Sequence, residues 1–180
     1  KGIVLENGIV KYNGSVNKAL DYYMSSGNSS SGIFKAGFFS QNMLHEVQVQ
    51  NRNLDNGNSF RFDDPILLTF KFHVEEKYLQ HVEIGFRITD QKERVVFTSQ
   101  NKVANFKKGL EGYYEIQSLI PNKILVPNEY RVSVGLHVPN VTVLSFQEDA
   151  VTFSIEETGT DFFQYAGNDY GCVFVDCKWS

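Results

Sequence analysis

The sequence is poor in the features that nucleic-acid-binding and membrane-spanning proteins need. The 17 Lys and Arg residues are outnumbered by 21 Asp and Glu residues and form no cluster, so the electrostatic footprint of nucleic-acid or anionic-membrane binding is missing. No apolar run approaches the roughly 18 to 20 residues that cross a bilayer, and the N-terminus has no signal-peptide pattern. We therefore expect no nucleic-acid partner.

Cysteine is also scarce. Only Cys172 and Cys177 occur, five positions apart in a predicted strand. This odd spacing points the two side chains to opposite faces of an extended strand, where a disulfide between them cannot form. Two free thiols are typical of a reducing cytoplasm.

Motifs for catalysis and cofactor binding are missing as well. The sequence has no phosphate-binding G-x-x-x-x-G-K-[ST] loop, no H-E-x-x-H, C-x-x-C or EF-hand pattern, and no G-x-S-x-G. We therefore expect no catalytic residue, no metal and no cofactor in this chain. Two alternatives stay open: a two-histidine metal site at His73 and His137, and a pair of acids for glycoside hydrolysis. The candidate acids at the ends of predicted strands are Asp63, Asp64, Glu75 and Glu76.

The first 24 residues differ from the rest of the chain. Two short apolar runs flank Asn7-Gly8, which predicts a β-hairpin, and Ser15 is placed to cap a short helix ending near Met24. Residues 25–40, rich in Ser and Gly, are predicted to be a linker. Because a hairpin and one helix cannot bury a core, and the chain begins at Lys1, we interpret residues 1–24 as the tail of an upstream domain.

The remaining residues, 41–180, have the pattern of a β-sandwich. Short runs of alternating apolar and polar residues, rich in β-branched and aromatic side chains, are separated by turn residues. This pattern predicts an all-β fold made of two antiparallel sheets with Greek-key or jelly-roll connections. The predicted strands are residues 43–52, 66–74, 82–90, 94–100, 112–119, 129–138, 142–147, 150–156 and 171–179.

Polar residues opposite the core-facing positions of three predicted strands form the candidate binding site. Glycine within a strand often marks close approach by a ligand. If the strands carrying Gly85 and Gly135 are neighbours, these glycines form a shallow floor that could accept a sugar, while an anionic substituent would suit Arg87, Arg131 and Lys71. The alternative interpretation is a solvated sheet face with glycines at a bend. The candidate residues are Lys71, His73, Glu83, Gly85, Arg87, Arg131, Ser133, Gly135 and His137.

Aromatic residues outside the clear stripes have two possible roles. They could stack on sugars, or they could complete the core and form a subunit contact, which we favour. These residues are Tyr113, Tyr114, Phe162, Phe163, Tyr165 and Tyr170.

Several segments in order resemble ATP-binding proteins of ABC transporters that export polysaccharides. The N-terminal segment resembles the closing hairpin and helix of the ATPase, and the later segments resemble strands of the domain that follows. The segments are LENGIVKYNGSVNKALDYY (5–23), FRFDDPILLTFKF (60–72), VEIGFRITD (82–90), GYYEI (112–116), LVPNEYRV (125–132) and GCVFVDCKW (171–179). Together they resemble the C-terminal carbohydrate-binding domain of a Wzt-type O-antigen exporter.

The resemblance implies an immunoglobulin-like sandwich that recognises lipid-linked O-antigen polysaccharide, often at its non-reducing end, during lipopolysaccharide biosynthesis. It further implies a homodimer, with exchange of the terminal strand between subunits, on the cytoplasmic side of the inner membrane. Contact with the membrane subunit and ATP hydrolysis would belong to the full-length protein. The alternatives are a dimerisation or docking module without glycan binding, and a glycosidase.

Overall fold

A computed structural model describes residues 1–6, 9–16, 32–37, 39–51, 57–106, 112–160, 163, 171–175 and 177–179. Two short 3₁₀ helices, Glu76–Tyr78 and Val103–Asn105, interrupt a succession of strands. The strands are β1 (Gly2–Glu6), β2 (Ile9–Gly14), β3 (Ile33–Lys35), β4 (Leu44–Gln50), β5 (Ser59–Arg61), β6 (Ile66–His73), β7 (Glu83–Asp90), β8 (Val95–Lys102), β9 (Tyr113–Ile120), β10 (Asn128–Val138) and β11 (Thr142–Glu156). No helix in the described part of the chain has the length and apolar character needed to cross a bilayer.

The strands of the main body form two sheets. One has five strands in the order β5-β11-β10-β7-β8, and the other has four in the order β3-β4-β6-β9. The predicted all-β sandwich is therefore confirmed. One pairing departs from the antiparallel prediction, because the three-residue strand β5 runs parallel to the end of β11.

The inner faces of the two sheets enclose an apolar core, as the alternating pattern predicts. Phe70 of β6 and Phe86 of β7 stack across the sandwich, with ring centroids 5.7 Å apart. Tyr130 of β10 stacks on Phe153 of β11 at 5.5 Å, and its hydroxyl donates a hydrogen bond to the Val126 carbonyl at 2.6 Å. The core thereby fixes which residues of β7 and β10 face outward.

The N-terminal region contains the predicted hairpin, since β1 and β2 pair antiparallel. The predicted helix up to Met24 lies almost wholly outside the described residues. Residues 33–35, inside the range 25–40 assigned to a linker, instead form β3 and pair with β4. The sandwich therefore begins before residue 41, while the assignment of residues 1–24 to an upstream domain stays a prediction.

Three predicted strands at the C-terminal side differ from the observed ones. The runs 142–147 and 150–156 form one strand, β11, with a register shift between them and a positive φ of 47° at Asp149. In the described part of 171–179, Val173 makes only an isolated bridge to Leu125, so the predicted terminal strand is wrong there. The side chains of Val175 and Trp179 are exposed to solvent.

Candidate functional site

The two glycine-bearing strands lie side by side. β7 pairs antiparallel with β10, and Gly85 is directly opposite Gly135. On the same outward face Glu83 is opposite His137, and Arg87 is opposite Ser133. The strands that carry Gly85 and Gly135 are therefore neighbours, as the predicted glycine floor requires. We call the outward face of β7, β10 and the adjoining part of β11 the outer face.

The glycine pair leaves a depression between two side chains of the neighbouring strands. A Cβ atom at Gly85 would lie 3.3 Å from Cβ of Gln100, and one at Gly135 would lie 3.4 Å from Cδ2 of Phe146. Phe146 is 56% exposed, so its ring borders the floor and remains open to solvent. A flat apolar ring beside a side-chain-free floor is a suitable surface for the apolar face of a sugar.

Arg87 stands beside the floor, two residues along β7 from Gly85. Its Nε is buried and has no hydrogen-bond partner among the described residues. The Ser133 hydroxyl opposite it accepts a hydrogen bond from the Asp149 amide at 3.1 Å and donates one to the Asp149 carboxylate at 3.4 Å. Ser133 is therefore buried and engaged, whereas Nε of Arg87 is buried without a partner in the described part of the chain.

Arg131, another of the predicted residues, is held in ion pairs within the protein. Its guanidinium lies 2.6 Å from the Glu93 carboxylate and 3.2 Å from that of Asp149, and it also donates to the Asp90 carbonyl at 3.3 Å. Burial lowers the pKa of Arg131, but these carboxylates outweigh burial and leave its pKa above the ordinary value. Arg131 thus joins the β7–β8 turn and the irregular part of β11 to β10.

At the other end of the outer face, Glu83, which is opposite His137, borders an open cleft. Oε2 of Glu83 lies 4.0 Å from Nε2 of His137. The cleft has a volume of about 650 Å³, within the range of ligand sites. The cleft lies close to the floor, because Glu83 is two residues along β7 from Gly85. Its walls combine Tyr78, Val138, Pro139 and Val141 with Gln80, His81, Glu83 and Lys102.

Lys71 and His73 do not belong to this site. Both are on β6 in the four-stranded sheet. Nζ of Lys71 lies 2.9 Å from a Glu46 carboxylate oxygen, and Nδ1 of His73 accepts a hydrogen bond from the Asn42 amide at 3.2 Å. Alternation identified these side chains as outward-facing but carried no information on which sheet they belong to.

The structure also argues against the two catalytic or metal alternatives. His73 and His137 lie in different sheets, so they form no two-histidine site. Across the described ranges no group of three or more His, Cys, Asp or Glu side chains could hold a metal ion. Asp63 and Asp64 lie at one end of the eight-residue strand β6 and Glu75 and Glu76 at the other. Acids from the two ends are roughly 25 Å or more apart at the usual rise per residue, far beyond the separation of a glycosidase pair.

Sequence reasoning missed two residues of the site, Phe146 and Asp149. Between Leu136–Ser145 and His137–Val143 the register shifts, which makes Leu144 an extra residue in β11. Such a bulge exchanges the two faces of a strand, so alternation along residues 142–147 does not reveal that Phe146 faces outward. A sequence signal for Phe146 was available: it is an aromatic residue in the predicted strand 142–147, which directly follows the predicted strand that contains Gly135.

Of the unassigned aromatic residues, Tyr114 is in the core, whereas Tyr113 and Phe163 are exposed. Phe162, Tyr165 and Tyr170 lie outside the described residues. The core role is thus confirmed for Tyr114 only, and none of the three described residues is on the outer face of the five-stranded sheet.

Comparisons with known proteins identify the family. None of the curated proteins compared with the chain matches it. A solved structure described as "Crystal structure of the C-terminal domain of wzt" is similar, with a TM-score of 0.58 and 13% sequence identity over 85% of this chain and 89% of that one. The family model described as "Wzt C-terminal domain" matches residues 43–173. Since this match includes most of the sandwich, the chain belongs to the Wzt C-terminal domain family.

Proposed function

We propose that this chain recognises lipid-linked O-antigen polysaccharide for ABC-transporter export and that it does so by binding alone, without catalysis. The observation that carries the proposal is the Gly85–Gly135 floor on the outer face, bordered by the exposed ring of Phe146 and close to the cleft at Glu83. Membership of the Wzt C-terminal domain family supports a role in an O-antigen transporter.

The outer face offers both kinds of contact that a saccharide needs. The apolar side of a pyranose can rest on the glycine floor and against Phe146, since no side chain projects from the floor. Its hydroxyl groups can pair with Arg87 on one side and with Glu83 and His137 on the other. The cleft beyond Glu83 gives room for further sugar residues.

The biological setting belongs to the same proposal. We place the chain on the cytoplasmic side of the inner membrane, as part of a homodimeric ATP-binding protein that contacts the transporter's membrane subunit. In this setting the outer face binds the non-reducing end of the polysaccharide, and the protein delivers finished chains to the transporter. The resemblance of the N-terminal segment to the end of an ATPase supports this arrangement.

Calorimetric titration with the O-polysaccharide of the source organism, full length and end-trimmed, tests the proposal. We expect the full-length polysaccharide to bind and the trimmed one to bind more weakly. Phe146→Ala should weaken binding, whereas Leu119→Ala should not, because Leu119 is equally exposed but lies on the other sheet. Absence of binding to both polysaccharides would overturn the proposal.

A second candidate is a dimerisation or docking module that binds no glycan. It is favoured by the exposed apolar side chains near the end of the chain, including Trp179, which is 95% exposed. Sedimentation at increasing protein concentration, with and without polysaccharide, distinguishes the two. A concentration-dependent dimer that ignores every polysaccharide would support this candidate, and Trp179→Ala should then weaken the dimer.

A further inference from the structure

The two arginines of the outer face differ in whether they have an ion-pair partner. Arg131 is held by Glu93 and Asp149. Arg87, in contrast, has no ion pair with any residue that the structure describes, and its buried Nε has no hydrogen-bond partner there. A partly buried cation beside the floor therefore lacks a counter-charge.

An unpaired guanidinium in this position favours an anion. Attraction between charges is stronger at a partly buried site than in bulk water, because the effective dielectric constant is lower and salt screens less. The guanidinium also offers donors in a planar fork that matches the oxygens of a carboxylate or phosphate group. Asp149, which contacts Ser133 opposite Arg87, is already held by Arg131.

The positions of Glu83 and Arg87 along β7 also predict the orientation of a bound ligand. Glu83 and Arg87 lie on opposite sides of Gly85 on the same face, with Arg87 opposite Ser133. At the usual rise per residue they are about 13 Å apart, which is enough for a sugar residue between them. An anionic group would be repelled at the Glu83 side and attracted at Arg87, so the rest of the saccharide extends toward the cleft.

We propose that the outer face binds a saccharide with an anionic substituent, a carboxylate or a phosphate group, and that Arg87 pairs with this substituent while the remaining sugars extend past Glu83 into the cleft. This inference rests on the proposed glycan-binding function and names the chemical class of its ligand.

Three matched probes test the inference by NMR titration of the chain: methyl glucoside, methyl glucuronide and glucose 6-phosphate. They share one sugar and differ chiefly in the group at carbon 6, so the latter two distinguish a carboxylate from a phosphate. We expect at least one anionic probe to bind about tenfold or more tightly than the neutral one. This preference should shrink as salt is added.

Variants at Arg87 connect the preference to this side chain. Arg87→Ala should abolish the difference between anionic and neutral probes, and Arg87→Lys should retain part of it because the charge remains but the planar fork is lost. Lys71→Ala, a cation removed from the other sheet, is the matched control and should leave the preference unchanged. Thermal unfolding of each variant shows that the sandwich is intact.

The outcomes separate the inference from the function on which it rests. Equal binding of the three probes, an unchanged preference in Arg87→Ala, or no response from outer-face resonances to any probe would overturn the inference. If the organism's polysaccharide still binds in those cases, the proposed function survives as recognition of a neutral glycan. If the polysaccharide does not bind either, both fall.

Discussion

Gly85 of β7 and Gly135 of β10 are directly opposite each other at the centre of the five-stranded sheet. Glycine inside a strand costs stability relative to alanine, by roughly 0.5–1 kcal/mol. Two such residues in register therefore weaken the sheet at one point while keeping its outer face open. This pairing places the site between Arg87 and Glu83.

Adding a side chain to the glycine floor should weaken polysaccharide binding without lowering the stability of the fold. Gly135→Ala places a methyl group in ordinary contact with the Phe146 ring, 3.4 Å from Cδ2. We expect the free energy of unfolding to stay the same or to rise by up to about 1 kcal/mol, while affinity for the polysaccharide falls several-fold. Denaturant unfolding and calorimetry measure the two effects.

Gly37→Ala is the control for this substitution, because an added Cβ there meets nothing within 4 Å and the residue is outside the site. It should leave affinity unchanged. If Gly135→Ala binds as well as the unmodified chain, the floor is not a sugar contact.

Removing the Phe146 ring should affect binding far more than folding. The side chain is more than half exposed, so Phe146→Ala should lower the free energy of unfolding by less than about 1 kcal/mol, the usual limit for surface sites. Loss of the stacking surface should weaken polysaccharide binding by about tenfold. Retained affinity together with retained stability would exclude Phe146 from the site.

Arg131 should contribute more to stability than an exposed arginine does. Arg131→Ala leaves the partly buried Asp149 without its cation, so we expect a loss of about 1–3 kcal/mol in the free energy of unfolding. Arg61→Ala, which breaks an exposed ion pair with Asp63 at 3.1 Å, should cost less than about 1 kcal/mol. Equal losses in urea unfolding would contradict a structural role for Arg131.

The stability of the fold should decrease in mild acid because of His45. This residue is 6% exposed, and neither ring nitrogen has a hydrogen-bond partner in the described part of the chain. Burial, and secondarily the nearby His73, lowers the pKa of His45 below its ordinary value of 6.5. The unfolded chain therefore takes up a proton more readily, and stability present above pH 6.5 is lost as the pH falls below it.

Urea unfolding between pH 8 and pH 5 measures this effect. His45→Phe keeps a ring between Phe39 and Tyr113, which contact His45 at 4.8 Å and 5.8 Å between centroids, and it should flatten the pH dependence. His81→Gln, at an exposed position, should not. An unchanged slope in His45→Phe would show that another group is responsible.

The sequence predicts the strands well because alternation directly reflects which residues are buried. It does not predict which strands are neighbours, and for this reason only some of the nine candidate residues lie together in one sheet. Gly85 and Gly135 meet because β7 and β10 pair, whereas Lys71 faces outward from β6 in the other sheet. Short strands such as β3 are too brief to show a period.

Bulges limit the prediction further. The extra residue Leu144 reverses the faces of β11 and brings Phe146 outward, and three residues opposite Ser133 bring Asp149 to Arg131. Neither irregularity has a distinctive sequence signal such as glycine or proline. The ion pair of Arg131 with Asp149 depends on the second of these irregularities, and its ion pair with Glu93 depends on the β7–β8 turn, so the contrast with Arg87 emerges only from the structure.

NMR mapping of bound O-polysaccharide on the labelled chain tests the central claim most directly. The account predicts that the largest shifts fall on the outer face, at Gly85, Arg87, Gly135 and Phe146, and extend into the cleft near Tyr78. Shifts confined to the four-stranded sheet around Lys71, or none at saturating polysaccharide, would contradict it.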